Sequence, residues 1–80
     1  MEYPISDQLY TDLENRFTYH KPIGDQQERY QKLRFNAKVL AFDISKNCPP
    51  SFETSLALTH LEQAIFWANA AIARNEKENG

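Results

Sequence analysis

Pro49 and Pro50 stand side by side between two long amphipathic stretches, and that pair constrains the fold more than any other feature. Neither residue can continue a helix, and Pro49 biases Cys48 away from the α region, so a helix arriving from upstream ends near Asn47. Upstream, Tyr30, Leu33, Ala37, Leu40, Ala41, Ile44 and Cys48 recur at steps of three and four, the pattern of one buried helical stripe. Asp25 and Glu28, directly after Gly24, stand in the relation of a capping box and predict a helix over 25–47. Downstream, Ser51 is a good N-cap and Glu53 faces the positive end of the helix dipole. Leu58, Leu61, Ile65, Ala68 and Ile72 form a heptad-like seam, and Arg74 and Lys77 suit the last turns of a helix over 51–77. The connection is too short for anything but an antiparallel hairpin of two helices, each on the order of 35 Å long.

Residues 1–14 read as a short N-terminal helical segment. Its helix falls within 5–14, with Ser6 as cap and Leu9, Leu13 and Phe17 as a sparse apolar edge. The stretch 15–24, dense in Phe17, Tyr19 and His20, reads as an ordered loop. The fold class is therefore all-α in a single domain. A lone hairpin leaves too much apolar surface, however. Phe35, Val39 and Phe42 form a second row on the first long helix, and Phe52, Leu56, Phe66 and Trp67 lie outside the seam of the second. Two helices cannot cover two apolar faces each, and exposed apolar patches of this kind mark protein–protein contacts.

The length sharpens the point. A chain of 80 residues builds only a marginal core unless disulfides, a metal or oligomerisation support it. Cys48 is the single cysteine, which excludes an intrachain disulfide, and it reads as a small buried hydrophobe. His20, Cys48 and His60 are too scattered for paired metal-ligand spacing, so no metal and no cofactor is expected. A helical homo-oligomer is the expectation that remains.

The net charge of −2 conceals an uneven distribution. Glu2, Asp7, Asp12 and Glu14 make the start acidic; Arg16, Lys21, Arg29, Lys32, Arg34, Lys38 and Lys46 make the middle basic; residues 48–80 return to acidic. DNA or RNA binding is disfavoured, because such domains carry an overall basic footprint, while a local anion site in the middle third stays open. No apolar run approaches the roughly 18 residues of a membrane span. The start Met1-Glu2-Tyr3-Pro4 has neither the basic nor the apolar stretch of a signal peptide, so a soluble cytoplasmic protein is expected.

Nothing in the spacing supports an active site. Ser45, Ser51, Ser55 and Cys48 read as caps and core, and neither histidine has a carboxylate placed to orient it as a base. The segment from Asn15 to Asp25 looks more functional. It combines Arg16 and Lys21 with the stacking surfaces of Phe17, Tyr19 and His20, and it ends in Gly24 at a helix start. Helix-terminal amides favour a phosphate and aromatic rings favour a base, with Arg29 and Lys32 adding positive charge nearby. The same residues also fit a loop whose aromatics cap the hairpin and whose cations are merely solvated. On the second long helix, His60, Trp67 and Arg74 lie along one strip, and Thr59, Gln63 and Asn69 interrupt apolar surface. Asn69 among alanines wants a partner for its amide. An interchain contact fixing register and the wall of a ligand pocket are both open readings.

Several of these stretches together resemble a known family. They are Arg16-Phe17-Thr18-Tyr19-His20, Gly24-Asp25-Gln26, Arg29-Tyr30, Cys48-Pro49-Pro50-Ser51 and Ser55-Leu56-Ala57-Leu58-Thr59-His60-Leu61-Glu62, followed by Trp67-Ala68-Asn69-Ala70-Ala71-Ile72-Ala73-Arg74. In these residues the chain is similar, over about 15–75, to the phage anti-CBASS cyclic-oligonucleotide sponges, whose hairpin recurs in an anti-Thoeris sponge. The resemblance implies a non-enzymatic anti-defence protein of the host cell cytoplasm. Such a protein binds cyclic di- and trinucleotides such as cyclic GMP–AMP and cyclic tri-AMP, in separate pockets between the chains of a hexamer. With that resemblance, the candidate ligand contacts are Arg16, Phe17, Tyr19, His20, Lys21, Gly24, Asp25, Arg29, Thr59, Trp67, Asn69 and Arg74; the segment 1–14 resembles nothing specific, and the aromatic it would offer to a pocket is Tyr10, with Tyr3 next. One departure is local: the family commonly has a lysine just before the loop glycine, where this chain has Ile23, with Lys21 nearby. The alternative is a small helical oligomer acting as a protein-interaction or regulatory module.

Overall fold

The computed structural model describes residues 2–76, and every regular element among them is an α-helix. Helix α1 spans Asp7–Phe17, α2 spans Gln26–Asn47 and α3 spans Phe52–Asn75. Ser6 caps α1 as expected, its hydroxyl accepting from the Leu9 N–H at 3.1 Å. The helix then runs on to Phe17 instead of stopping at Glu14. Arg16 and Asp12 pair across one turn at 3.4 Å and support the extension, and β-branched Thr18 takes an extended conformation and ends it. Asn15, Arg16 and Phe17 are thus helical, and the connecting loop is reduced to 18–25.

The capping box expected at the start of α2 does not form. Asp25 has φ −91° and ψ 12°, not the extended backbone that turns a side-chain oxygen onto the first free amides, and its side chain makes no cap. Its carboxylate accepts from Arg29 Nε at 3.1 Å instead. The helix ends at Asn47, ahead of the prolines, with the Cys48 N–H donating to the Ile44 carbonyl at 3.0 Å. Ser51 caps α3 by accepting from the Thr54 N–H at 3.2 Å. Thr54 Oγ1 also donates to the Pro49 carbonyl at 2.8 Å, tying the turn to the helix it starts. Lys77, expected in the last turn of α3, lies outside the described residues, as does Met1.

The helices α2 and α3 pack antiparallel, the start of one beside the end of the other. Leu33, Ala37, Ala41 and Ile44 of α2 are half-buried, as are all five seam residues of α3. Two members of the expected α2 stripe are exposed: Leu40 on its flank, and Cys48, which sits past the last turn and is no buried hydrophobe. The loop is not held by its aromatics either, since Phe17 and Tyr19 are exposed. Among the described residues no apolar side chain is fully buried.

The molecule is a plate. It measures 49 × 41 × 13 Å, the last dimension little more than one helix across. Its radius of gyration of 17.3 Å exceeds the roughly 12 Å of a compact chain this long. It exposes 7079 Å², against about 5000 Å² for a folded monomer of this mass. The exposed residues include the second apolar rows, among them Phe35 at 65% and Trp67 at 67%. No helix among the described residues is long and apolar enough to cross a membrane.

Candidate functional site

The loop between α1 and α2 is fixed by one glycine and one glutamine. Gly24, at φ +53°, occupies the left-handed region that glycine enters without penalty, and this turns the chain into α2. Gln26, at 4% exposure, is the one buried residue among those described. Its Oε1 accepts from the Ile23 N–H at 3.0 Å, and its Nε2 donates to Glu76 Oε1 at 3.1 Å. Arg29, one turn on, donates to both Glu76 oxygens, one of them at 2.8 Å, and to Asp25. This clasp binds the loop to the far end of α3. The hydrogen bonds from Arg29 and then Gln26 hold the Glu76 carboxyl at about 2, well below its usual range. The Glu76 hydrogen bond in turn raises the Arg29 guanidinium, with the nearby Asp25 charge adding to it.

Around the clasp the surface is hollowed. One recess of about 490 Å³ has Tyr19 and Lys21 from the loop on one side and Gln27, Tyr30 and Arg34 of α2 on the other. A second, of about 350 Å³, lies between His20, Tyr30 and Arg34 and the α3 residues Asn69, Ala73 and Arg74. A third is an apolar groove of about 460 Å³ along the hairpin, where Ala37 and Ala41 face Leu58, Leu61 and Ile65. The largest, about 860 Å³, separates α1 from the end of α3 and is lined by Leu9, Asp12, Asn15 and Arg74. His20 is oriented by its Nε2, which lies 2.6 Å from the Asn15 carbonyl at the end of α1. Since that oxygen can only accept, Nε2 carries the proton.

Five of the thirteen residues expected at the site line the two loop-side recesses: Tyr19 and Lys21 in one, His20, Asn69 and Arg74 in the other. The rest are placed elsewhere within one protomer. Arg16 pairs with Asp12, and its guanidinium sits 5.6 Å above the Phe17 ring, so these two satisfy each other at the end of α1. Arg29 and Asp25 belong to the clasp, and Gly24 serves the turn. Tyr10, Thr59 and Trp67 are exposed and line none of the four recesses. Two recess residues went unnoticed in the sequence, Tyr30 as ligand wall and Arg34. The signal was present: Gln27, Tyr30, Gln31 and Arg34 follow one another at three- and four-residue steps, a polar stripe on one helix face.

The cations sort by partner. Arg16 and Arg29 are spent on carboxylates, whereas Lys21, Arg34 and Arg74 have no ion pair among the described residues. Rings and free cations side by side suit a ligand that is both planar and anionic. Asn69 adds a second demand, because its Oδ1 is buried and accepts no hydrogen bond among the described residues. Among the described residues no cluster of His, Cys, Asp and Glu could hold a metal ion.

Comparison with known proteins gives one match. A family model described as "Acb2/Tad1, hairpin domain" covers residues 10–73, most of the chain. No curated protein and no solved structure matches.

Proposed function

The chain belongs to the Acb2/Tad1 hairpin-domain family of anti-CBASS and anti-Thoeris sponges, and on that premise we propose that it captures cyclic di- and trinucleotide second messengers and holds them intact. The family consists of ligand-binding sponges rather than enzymes. In this reading a phage supplies the protein to the host cell cytoplasm, where it keeps signals such as cyclic GMP–AMP and cyclic tri-AMP from switching on CBASS effectors.

The observation that carries the reading is the pairing of rings with cations that have no ion pair among the described residues: Lys21 beside Tyr19, and Arg74 beside His20. Assembly completes it. The surplus of about 2000 Å² over a compact monomer is more than twice the roughly 800 Å² that one partner buries in a standard protein–protein interface, which supports a homo-oligomer with more than one contact per chain, in this reading a hexamer. Neighbouring copies then cover Phe35, Val39 and Phe42 and bring Tyr10, Thr59 and Trp67 toward the ligand. Pockets walled by two chains are fixed before the ligand arrives, which lowers the ordering cost of binding.

The test is capture and release. The protein is incubated with cyclic GMP–AMP or cyclic tri-AMP, separated from free ligand, heated to denature it, and the released nucleotide is identified by chromatography. Tight binding with unchanged ligand recovered is expected. Cleaved ligand means an enzyme, and absence of binding to either ligand favours a protein-interaction module.

A further inference from the structure

Glu76 is the C-cap of α3, and its carboxylate accepts one hydrogen bond from Gln26 and two from Arg29. Its own N–H donates to the Ile72 carbonyl at 3.2 Å, so the last turn of α3 is pinned together with the side chain. Two residues earlier in that turn, Arg74 lines the recess it shares with His20. On the other side of the clasp, Gln26 holds the Ile23 N–H, two residues from Lys21. Glu76 thus joins the two walls of the site while lining none of the four recesses itself. Packing does little to hold the loop, because Thr18, Tyr19, Lys21 and Pro22 are all exposed. The contact of His20 with the Asn15 carbonyl anchors its first half, and the clasp anchors its second. The matched family segment stops at residue 73, ahead of Glu76.

We infer that Glu76 is a positioning residue for ligand capture: without touching the ligand, it holds the loop against the last turn of α3 and so sets the recess between His20 and Arg74 before the ligand arrives. The inference rests on the cyclic-oligonucleotide reading of that recess. A residue of this kind acts through the fraction of molecules whose recess is already formed, and apparent affinity falls in proportion to that fraction. It therefore has its own kinetic signature. With the loop released, fewer encounters meet a formed recess, and association slows. The bound complex keeps every ligand contact and dissociates as before. A residue that grips the ligand directly has the opposite signature, faster dissociation.

The test uses the whole chain with Glu76→Gln, immobilised for surface plasmon resonance with cyclic GMP–AMP and cyclic tri-AMP, at a temperature well below the melting range of every variant. Glu76→Gln should slow association of at least one ligand by about three- to tenfold and leave its dissociation within about twofold of the original. Ser51→Ala is the control for a merely structural effect, since it removes the cap at the opposite end of α3. It should lower the melting temperature without slowing association. Unchanged association of both ligands with Glu76→Gln, a loss confined to dissociation, or an equal slowing by Ser51→Ala would each overturn the assignment. If the unsubstituted protein binds neither ligand, the functional reading fails, and the hold of Glu76 on the loop is judged separately by hydrogen exchange of the ligand-free protein. Faster exchange of the Ile23 amide in Glu76→Gln then supports that hold, and an unaltered rate overturns it.

Discussion

Gln26→Ala is the sharpest probe of how the loop is held. Gln26 is nearly inaccessible, and its amide links two segments fifty residues apart in sequence, the Ile23 backbone and the Glu76 carboxylate. Removing it strands the part-buried Ile23 N–H, which costs about 1–3 kcal/mol if water does not replace the lost acceptor. The lost donor to Glu76 acts in the same direction. For a domain of this size the expected fall in melting temperature is roughly 5–20 °C. The comparison must be made at one protomer concentration, because association shifts apparent stability. Hydrogen exchange then locates the effect: the Ile23 amide should lose protection, while the amides in the middle of α3 should change least. Gln26→Glu provides a second reading. Its retained Oε1 still accepts from Ile23, but it replaces the donor to Glu76 with a carboxylate, so stability should recover as the pH falls through the ordinary carboxylate range. A melting change under about 2 °C for Gln26→Ala, with Ile23 exchange unaltered, would refute the clasp.

Other consequences are directly measurable. The Glu76 carboxyl is depressed from 4.5 to about 2, so its contribution is complete above the unfolded-state value and fades as the pH falls from about 4.5 toward 2. Acid titration followed by NMR should find Glu76 still ionised at pH 3.5, and a titration midpoint near 4.5 would contradict the Arg29 contact. Gly24→Ala meets no atom within 4 Å yet must hold φ +53°, so it should destabilise by about 1 kcal/mol, and Gly24→Asn by less; equal melting of Gly24→Ala and the original chain would show that the turn can relax. Lys21→Glu should weaken cyclic-oligonucleotide binding at least about tenfold while leaving the elution volume unchanged, and unaltered affinity for both ligands would remove Lys21 from the site. Phe35→Asp should lower the mass seen by sedimentation, and an unchanged mass would place the assembly interface elsewhere.

The hairpin was legible because its evidence is local and periodic. The double proline fixes the turn, and the α3 seam at three- and four-residue steps is half-buried at every expected position. Ser6 and Ser51 announce their helices for the same reason: a cap requires only its own backbone and the next turn. Asp25 misleads because a capping box also requires an extended backbone, which the Gly24 turn does not supply. The clasp was illegible since Gln26 and Glu76 are ordinary helix-end residues whose meeting is decided by hairpin geometry. Arg29 shows the same dependence on hairpin geometry: sequence proximity to the loop marks it as a candidate phosphate ligand, and its contact with Glu76 appears only in the fold. Arg34 meets His20 and Arg74 across one recess only because α3 lies alongside α2, which no local pattern announces.

A plate 13 Å thick has two faces and no inside. Its helical backbone is therefore never more than one side chain from solvent, and the amides of α2 and α3 gain little shelter from the fold that contains them. Protection beyond that of the helices' own hydrogen bonds and the hairpin seam would come from a second surface laid against the first. In the proposed assembly the stability of the chain would belong to the concentration as much as to the sequence, and dilution would act as a denaturant.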